Sequence, residues 1–305
     1  MASPGPVPQE LAECVRRALE EDLGAGDLTS LALVDEHARA RAVIRMRSGG
    51  VLAGLPAAEA AFRALDGGSR FERLVEEGSR VEPGRAVALV EGLARTLLSA
   101  ERTALNFLGR LSGIATLTAA FVEAVQGTGA AIYDTRKTTP GLRALEKYAV
   151  RAGGGKNHRL GLHDAILIKD NHLALTGLSP AEAVRRARAR WRGPIEVEVT
   201  TADDALAAAR AGADVIMLDN FDPERAAAAV RALRAEFPRD RSGSPRVEIS
   251  GGVTLANVRA FAAAGADRIS IGALTHSAPA ADVTMDIEAA PDAGRGARAR
   301  TDAGG

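Results

Sequence analysis

The chain has 305 residues, 46% of them apolar and 26% charged, enough for one large domain and a smaller one, each with a real core. Its 39 Lys and Arg balance 39 Asp and Glu, so no global field draws it to nucleic acid or to an anionic membrane, and any anion chemistry must be local. A single cysteine, Cys14, excludes an internal disulfide framework and a cysteine metal cluster, and suits a reducing compartment.

Met1 to Gln9 lacks the basic start and long apolar run of a signal peptide, and no stretch approaches the roughly 20 apolar residues of a membrane span; a cytoplasmic protein is expected. From Pro8 to Glu21, Leu11, Val15, Ala18 and Leu19 recur at helical spacing and predict an amphipathic helix. The alternating "ARAVIRMRSGGVLAG" reads as a strand ending in glycines, "PAAEAAFRAL" as a helix, and the pieces through "VALVEG" as short strands. Thr96 to Val125 holds good helix formers interrupted at Gly109 and Gly113, which predicts one or two helices.

From Ala131 onward strand and helix alternate. The strands are "AAIYDT", "DAILIKD", "IEVEVT", "DVIMLDN", "RVEISGG" and "RISIGA", and most of the intervening helices open with a Ser, Thr or Asp suited to capping. Apolar strands alternating with amphipathic helices mean parallel βα units, and "AGAD" at 211–214 and 264–267 echoes one helix-to-strand junction. The expected fold is α/β: an open, TIM-like parallel barrel at 111–275, preceded by an α+β sandwich domain at 1–110 that segment 276–288 rejoins. Residues 289–305, mostly Ala, Gly, Arg and Asp, read as a disordered tail.

Polar residues fall at the C-terminal strand ends, where a βα barrel assembles its active site. They are Arg136 and Lys137, then Lys169, Glu198, Asp219, Ser250 with Gly251 and Gly252, and Gly272 with Ala273; the spacings from Lys169 are 29, 21, 31 and 22 residues, each about one βα unit. Only four basic residues are Lys, namely Lys137, Lys147, Lys156 and Lys169, and all lie within 33 positions. In so Arg-biased a chain, Lys is expected where a compact ammonium does what a guanidinium cannot, although Lys147 and Lys156 could be incidental. Thr135, Arg136, Lys137, His158, Arg159, Lys169 and His172 converging on one pocket would repel one another unless a multiply charged anion answers them. A dicarboxylate beside a phosphorylated partner suits both fork and point charge. Glu198 and Asp219 could hold a sugar's hydroxyls, bind Mg²⁺ beside a pyrophosphate, or stabilise a cation at an anomeric carbon. Glu196 shares the face of Glu198 and reads as a deeper barrel layer. Gly153 to Gly155 could be a mobile loop or an anion-binding turn. The histidine spacings give no zinc signature, and there is no GxSxG elbow, Walker loop or GxGxxG.

Together "ERTALNFLGRLSGIAT", "DTRKTTPGLRALEKYAVRAGGGKNHRLGLHDAILIKDNH", "EVEV", "IMLDNF", "EISGG" and "SIGALTHSAPAADVTMDI" resemble quinolinate phosphoribosyltransferases from about residue 10 to 288. The resemblance implies that quinolinate and phosphoribosyl pyrophosphate, with Mg²⁺, give nicotinate mononucleotide, pyrophosphate and carbon dioxide in NAD biosynthesis. It also implies a homodimer with shared active sites, with a hexamer as a larger alternative. Carried over by motif, Arg136, His158, Arg159 and Lys169 surround the quinolinate carboxylates and Arg102 reaches in from the neighbouring chain. Lys137 meets the phosphoribosyl pyrophosphate side, with Thr135 beside it. Glu198 and Asp219 contact ribose and Mg²⁺, and Ser250 to Gly252 with Ile271, Gly272 and Ala273 hold the 5′-phosphate. Arg47 is a looser match, offered as an extra anion contact. Three rivals remain: a related transferase acting on another acid, a barrel aldolase or isomerase with a Schiff-base lysine at Lys169, and a silent binding protein.

Overall fold

The computed structural model describes residues 7–289, so nearly all of the expected tail lies outside the described residues. In chain order the elements are α1 (Leu11–Leu23), α2 (Leu28–Leu33), β1 (Arg39–Met46), β2 (Gly50–Val51), α3 (Leu55–Leu65), β3 (Arg70–Arg73), β4 (Arg80–Val81), β5 (Arg85–Leu93) and α4 (Ala94–Ala124). They continue with β6 (Ala131–Tyr133), α5 (Arg143–Ala152), β7 (Ile166–Ile168), α6 (Asp170–Thr176), α7 (Pro180–Arg188), β8 (Ile195–Val199), α8 (Ala202–Arg210) and β9 (Val215–Asp219). The last are α9 (Pro223–Glu236), β10 (Arg246–Ser250), α10 (Val258–Ala263), β11 (Arg268–Ser270), α11 (Ala273–His276) and β12 (Val283–Ala289).

All six strands read from the apolar runs form one parallel sheet in the order β6-β11-β10-β9-β8-β7, the open α/β barrel. Three of its helices start where the sequence supplies a capping side chain. Ser179 and Glu182 form a reciprocal capping box on α7, Thr201 accepts from the Asp204 amide on α8, and Asp222 accepts from the Arg225 amide on α9. The two "AGAD" aspartates do one job twice: Asp214 accepts from the Ile195 amide at 2.8 Å and Asp267 from the Val247 amide at 2.7 Å, each tying its junction to the start of a strand.

The N-terminal layer is a four-stranded sheet, β12-β1-β5-β3, in which β12 returns from the chain's end to pair antiparallel with β1 from Ala40↔Ala289 to Met46↔Val283. Helix α4 joins the two layers, and position 110 falls inside it. It is one unbroken helix of 31 residues. Its glycines do not interrupt it; they admit the returning chain, since a Cβ on Gly113 would lie 2.0 Å from the Pro279 carbonyl oxygen, and the Ala281 amide donates to the Gly109 carbonyl at 2.9 Å. By length and composition α4 could cross a membrane, a feature the sequence reading overlooked. Its most apolar stretch has mean hydropathy 1.3, but 67% of it is buried in the protein, as in a core helix.

Candidate active site

The segment after β6 is clamped so that its side chains face the sheet's C-terminal end. Helix α5, absent from the sequence reading, supplies the clamp. Glu146 is fully buried and accepts from the Thr139 amide at 3.0 Å and the Thr139 hydroxyl at 2.7 Å while pairing with Arg110 at 2.7 Å. Next to it Lys147, 2% exposed, forms a short ion pair with fully buried Asp134 and donates to the His158 carbonyl at 3.0 Å. Burial pushes the Asp134 carboxyl up and the Lys147 ammonium down, against their mutual attraction. Asn157 and the His158 amide complete the carboxylate's hydrogen bonds at 2.5 and 2.8 Å. From the other side, the Thr275 hydroxyl donates to the Lys137 carbonyl at 2.8 Å.

Above this clamp opens a cavity of about 780 Å³, lined by Thr135, Arg136 and Lys137 after β6, His158 and Arg159 before β7, and Lys169 after it. Glu198 of β8, Asp219 at the end of β9, Ser250 to Gly252 after β10, and Ile271 to Ala273 after β11 line the same cavity. Two guanidinium nitrogens, Arg136 Nε and Arg159 Nε, are buried there with no hydrogen-bond partner. Burial, and then the charge of Arg136, push the Arg159 pKa down. A buried, unanswered donor costs about 1–3 kcal/mol, more when charged, so the cavity is built for an anion.

Opposite charge stands in the same cavity. Lys169 Nζ lies 2.7 Å from Glu198 Oε2, and the Asn220 side-chain amide donates to Asp219 Oδ2 at 2.7 Å. Glu198 Oε1 and Asp219 Oδ1 make no hydrogen bond to the protein among the described residues. These two oxygens, on neighbouring strands, fit the way Mg²⁺ binds, through one or two carboxylates with phosphate oxygens and waters filling the remaining positions. The loops after β9 and β10 interlock: Asn220 is left-handed (φ 55°), and a Cβ on Gly251 (φ 91°) would lie 2.2 Å from Asn220 Oδ1. With Gly252 also at φ 63°, the backbone there turns in a way that side chains disfavour, as a close approach to a phosphate requires.

At the wall of the cavity, His158 Nε2 lies 2.9 Å from Glu196 Oε2 and 3.4 Å from Glu248 Oε1. Burial lowers the His158 pKa, but the hydrogen bond to Glu196 and the charges of Glu196 and Glu248 outweigh it and leave the ring more basic than usual. Burial, followed by the charge of Glu196, pushes the Glu248 carboxyl up to about 7. Among the described residues this is the one cluster of three metal-capable side chains. One hydrogen bond, His158 to Glu196, holds it together, and it does not include Glu198 or Asp219.

Of the residues singled out from the sequence, all those placed on the barrel's strand-end loops line the cavity except His172, which instead accepts from the Lys169 amide at 2.9 Å. Arg102 is exposed on α4, outside that cavity. Arg47 pairs with Asp282 at 3.8 Å, Lys156 borders a separate cavity with Arg246, Asp267 and Arg268 at the sheet's opposite end, and Gly153 to Gly155 pack on Ala115, Thr118 and Val122 of α4. Asn220 and His276, which also line the cavity, and Glu248 beside His158 were missed. Glu248 is a lone acid in an apolar run, and only the pairing of β10 with β9 and β11 reveals its setting.

The description "Quinolinate phosphoribosyl transferase, N-terminal domain" matches residues 27–112, and "Quinolinate phosphoribosyl transferase, C-terminal domain" matches residues 114–286. The chain is 44% identical over 279 residues to a carboxylating nicotinate-nucleotide pyrophosphorylase of Mycobacterium leprae, covering 90% of this chain and 96% of that protein. It is 43% identical over 289 residues to the Rattus norvegicus protein of the same name, covering 93% of each. Its fold superposes on the crystal structure of NadC from Streptococcus pyogenes with TM-score 0.86 and 39% identity, covering 94% of this chain and 99% of that one. The nicotinate-nucleotide pyrophosphorylase of Francisella tularensis gives TM-score 0.84 and 35% identity, covering 94% and 100%. On sequence and fold together, the chain belongs to the quinolinate phosphoribosyl transferase family.

Proposed function

We propose that this enzyme transfers the phosphoribosyl group of phosphoribosyl pyrophosphate to the ring nitrogen of quinolinate, releasing pyrophosphate and carbon dioxide and forming nicotinate mononucleotide. The observation that carries the reading is the pair of buried, unanswered Arg136 and Arg159 nitrogens sharing a cavity with Glu198 and Asp219. Buried guanidinium nitrogens left unsatisfied call for a small polyanion, and carboxylates beside them suit a sugar on which positive charge develops.

Arg136, Arg159, His158 and Lys169 hold the two carboxylates of quinolinate and so aim the pyridine nitrogen at the anomeric carbon. The Lys137 ammonium, exposed at the cavity rim, receives the departing pyrophosphate. Glu198 and Asp219 face the ribose and offset the charge that grows at its anomeric carbon as the bond to pyrophosphate breaks. Their free oxygens would also hold Mg²⁺, which supplies charge neutralisation for the pyrophosphate. Ser250 to Gly252 and Ile271 to Ala273 grip the 5′-phosphate. Once the nitrogen is alkylated, its positive charge stabilises the electron pair left at C2 by loss of the neighbouring carboxylate, so transfer precedes decarboxylation.

On this reading the enzyme works in the cytoplasm as a homodimer, each site completed by Arg102 of the second chain. The exposure of Arg102 on α4, outside the cavity of its own chain, supports that arrangement. The ion pair of Lys169 with Glu198 disfavours the Schiff-base reading, which needs a neutral amine. The test is an assay of the purified protein with phosphoribosyl pyrophosphate, Mg²⁺ and either quinolinate or nicotinate. Nicotinate mononucleotide forms from quinolinate alone; turnover of nicotinate, or of neither acid, refutes the proposal.

A further inference from the structure

The reaction just described needs a proton that none of its named roles supplies. When carbon dioxide leaves, the C2–carboxylate bond breaks, its electron pair stays on C2, and the product carries hydrogen there. Arginine cannot give up a proton under these conditions. Lys169 is held by Glu198 at 2.7 Å, and Lys137 faces the pyrophosphate.

His158 stands apart. Its ring forms part of the cavity lining, and its side chain is 9% exposed. Nε2 points at two carboxylates, whereas Nδ1 makes no hydrogen bond to the protein among the described residues. The carboxylates behind it are over-supplied: Glu196 Oε1 and Glu248 Oε2 are buried without hydrogen-bond partners. Two buried acids this close to one ring favour a protonated imidazole, because an unprotonated cluster would confine two like charges in a dry layer. The charged and titratable groups around the ring are Glu196 from β8, Glu248 from β10, and Arg268 of β11, 3.9 Å from Glu248. Lys147 of α5 holds the His158 carbonyl, Asp134 takes its amide, and Arg136 and Arg159 flank it in the cavity wall. Lys147, Arg136 and Arg159 oppose a positive ring, so what keeps it charged is Glu196 and, above the pH of about 7 at which its carboxyl ionises, Glu248. Ser270, donating to Glu248 in a short hydrogen bond, fixes the second of them.

Resting on the proposed reaction, we infer that His158 is the general acid that protonates C2 as carbon dioxide departs, with Glu248 as a positioning residue that keeps the ring charged. The electron pair on C2 takes the proton from Nδ1, the N–H bonding pair becomes the lone pair of a neutral imidazole, and water restores the proton after product leaves. Nε2 stays bound to the carboxylates throughout.

Two variants test this, each measured for pyrophosphate and carbon dioxide separately at saturating quinolinate. In His158→Gln, decarboxylation slows about 100-fold more than pyrophosphate release, as expected for loss of a general acid, and undecarboxylated quinolinate mononucleotide accumulates. Equal loss of both products would mean that the ring only binds substrate, and would overturn the inference. Glu248→Gln keeps the side chain's shape and its contact with Ser270 but removes its negative charge. The alkaline limb of its kcat profile moves to lower pH with little change in KM for quinolinate; an unmoved limb overturns the inference. If wild-type protein releases no pyrophosphate from quinolinate, the proposed reaction itself has failed, a result distinct from either of these.

Discussion

Replacing Lys147 by Met tests whether the cluster of lysines in the sequence includes a structural one. The ammonium is 2% exposed and its partner Asp134 is fully buried, so the substitution leaves a carboxylate in the interior with only the His158 amide and Asn157 to hold it. Breaking a buried ion pair from one side costs about 3–5 kcal/mol, a large share of the roughly 5–15 kcal/mol that keeps a domain folded. Met matches the length of the lysine stem, so the cost is electrostatic rather than a cavity. Urea unfolding followed by circular dichroism measures it. The double variant Asp134→Asn with Lys147→Met should recover at least about half the loss, because no uncompensated charge remains. A cost below about 1 kcal/mol for the single variant, against that expectation, or no recovery in the double, would show that the pair does not hold the loop as described.

Two further substitutions separate the parts of the cavity. Gly251→Ala forces a side chain against Asn220 at a left-handed backbone and should raise KM for phosphoribosyl pyrophosphate by about 10-fold or more with a smaller change for quinolinate, since even small misplacement in a site is costly; the reverse pattern in steady-state kinetics would assign the loop to the acid. Lys169→Ala removes the proposed quinolinate contact and leaves Glu198 without its ion-pair partner, and should lower kcat by about 10²–10³-fold with unchanged thermal unfolding. A near wild-type rate would remove Lys169 from the mechanism.

The barrel was legible because each of its strands is an apolar run and three of the helices between them open on a capping Ser, Thr or Asp, and period and punctuation suffice for that. The site was legible where chemistry coincides with strand ends, as at Lys169, Glu198 and Asp219. It was not legible below them. Lys147 and Lys137 look alike in an Arg-rich chain, and only the amphipathic turn of α5 sends one into the interior and leaves the other at the cavity rim. Glu248 reads as an ordinary charge within "VEIS", and its setting depends on strands paired from distant parts of the chain. Gly109 and Gly113 suggested an interruption of α4 because propensity sees only the local chain, whereas the requirement they meet is close approach by residues near 280.

Quinolinate labelled in its 2-carboxylate measures the central claim most directly. The account predicts labelled carbon dioxide in a one-to-one ratio with pyrophosphate, strictly dependent on phosphoribosyl pyrophosphate and abolished when Arg136 and Arg159 are both replaced by Ala. Label released without the sugar phosphate, or release undiminished in the doubly substituted protein, would contradict it.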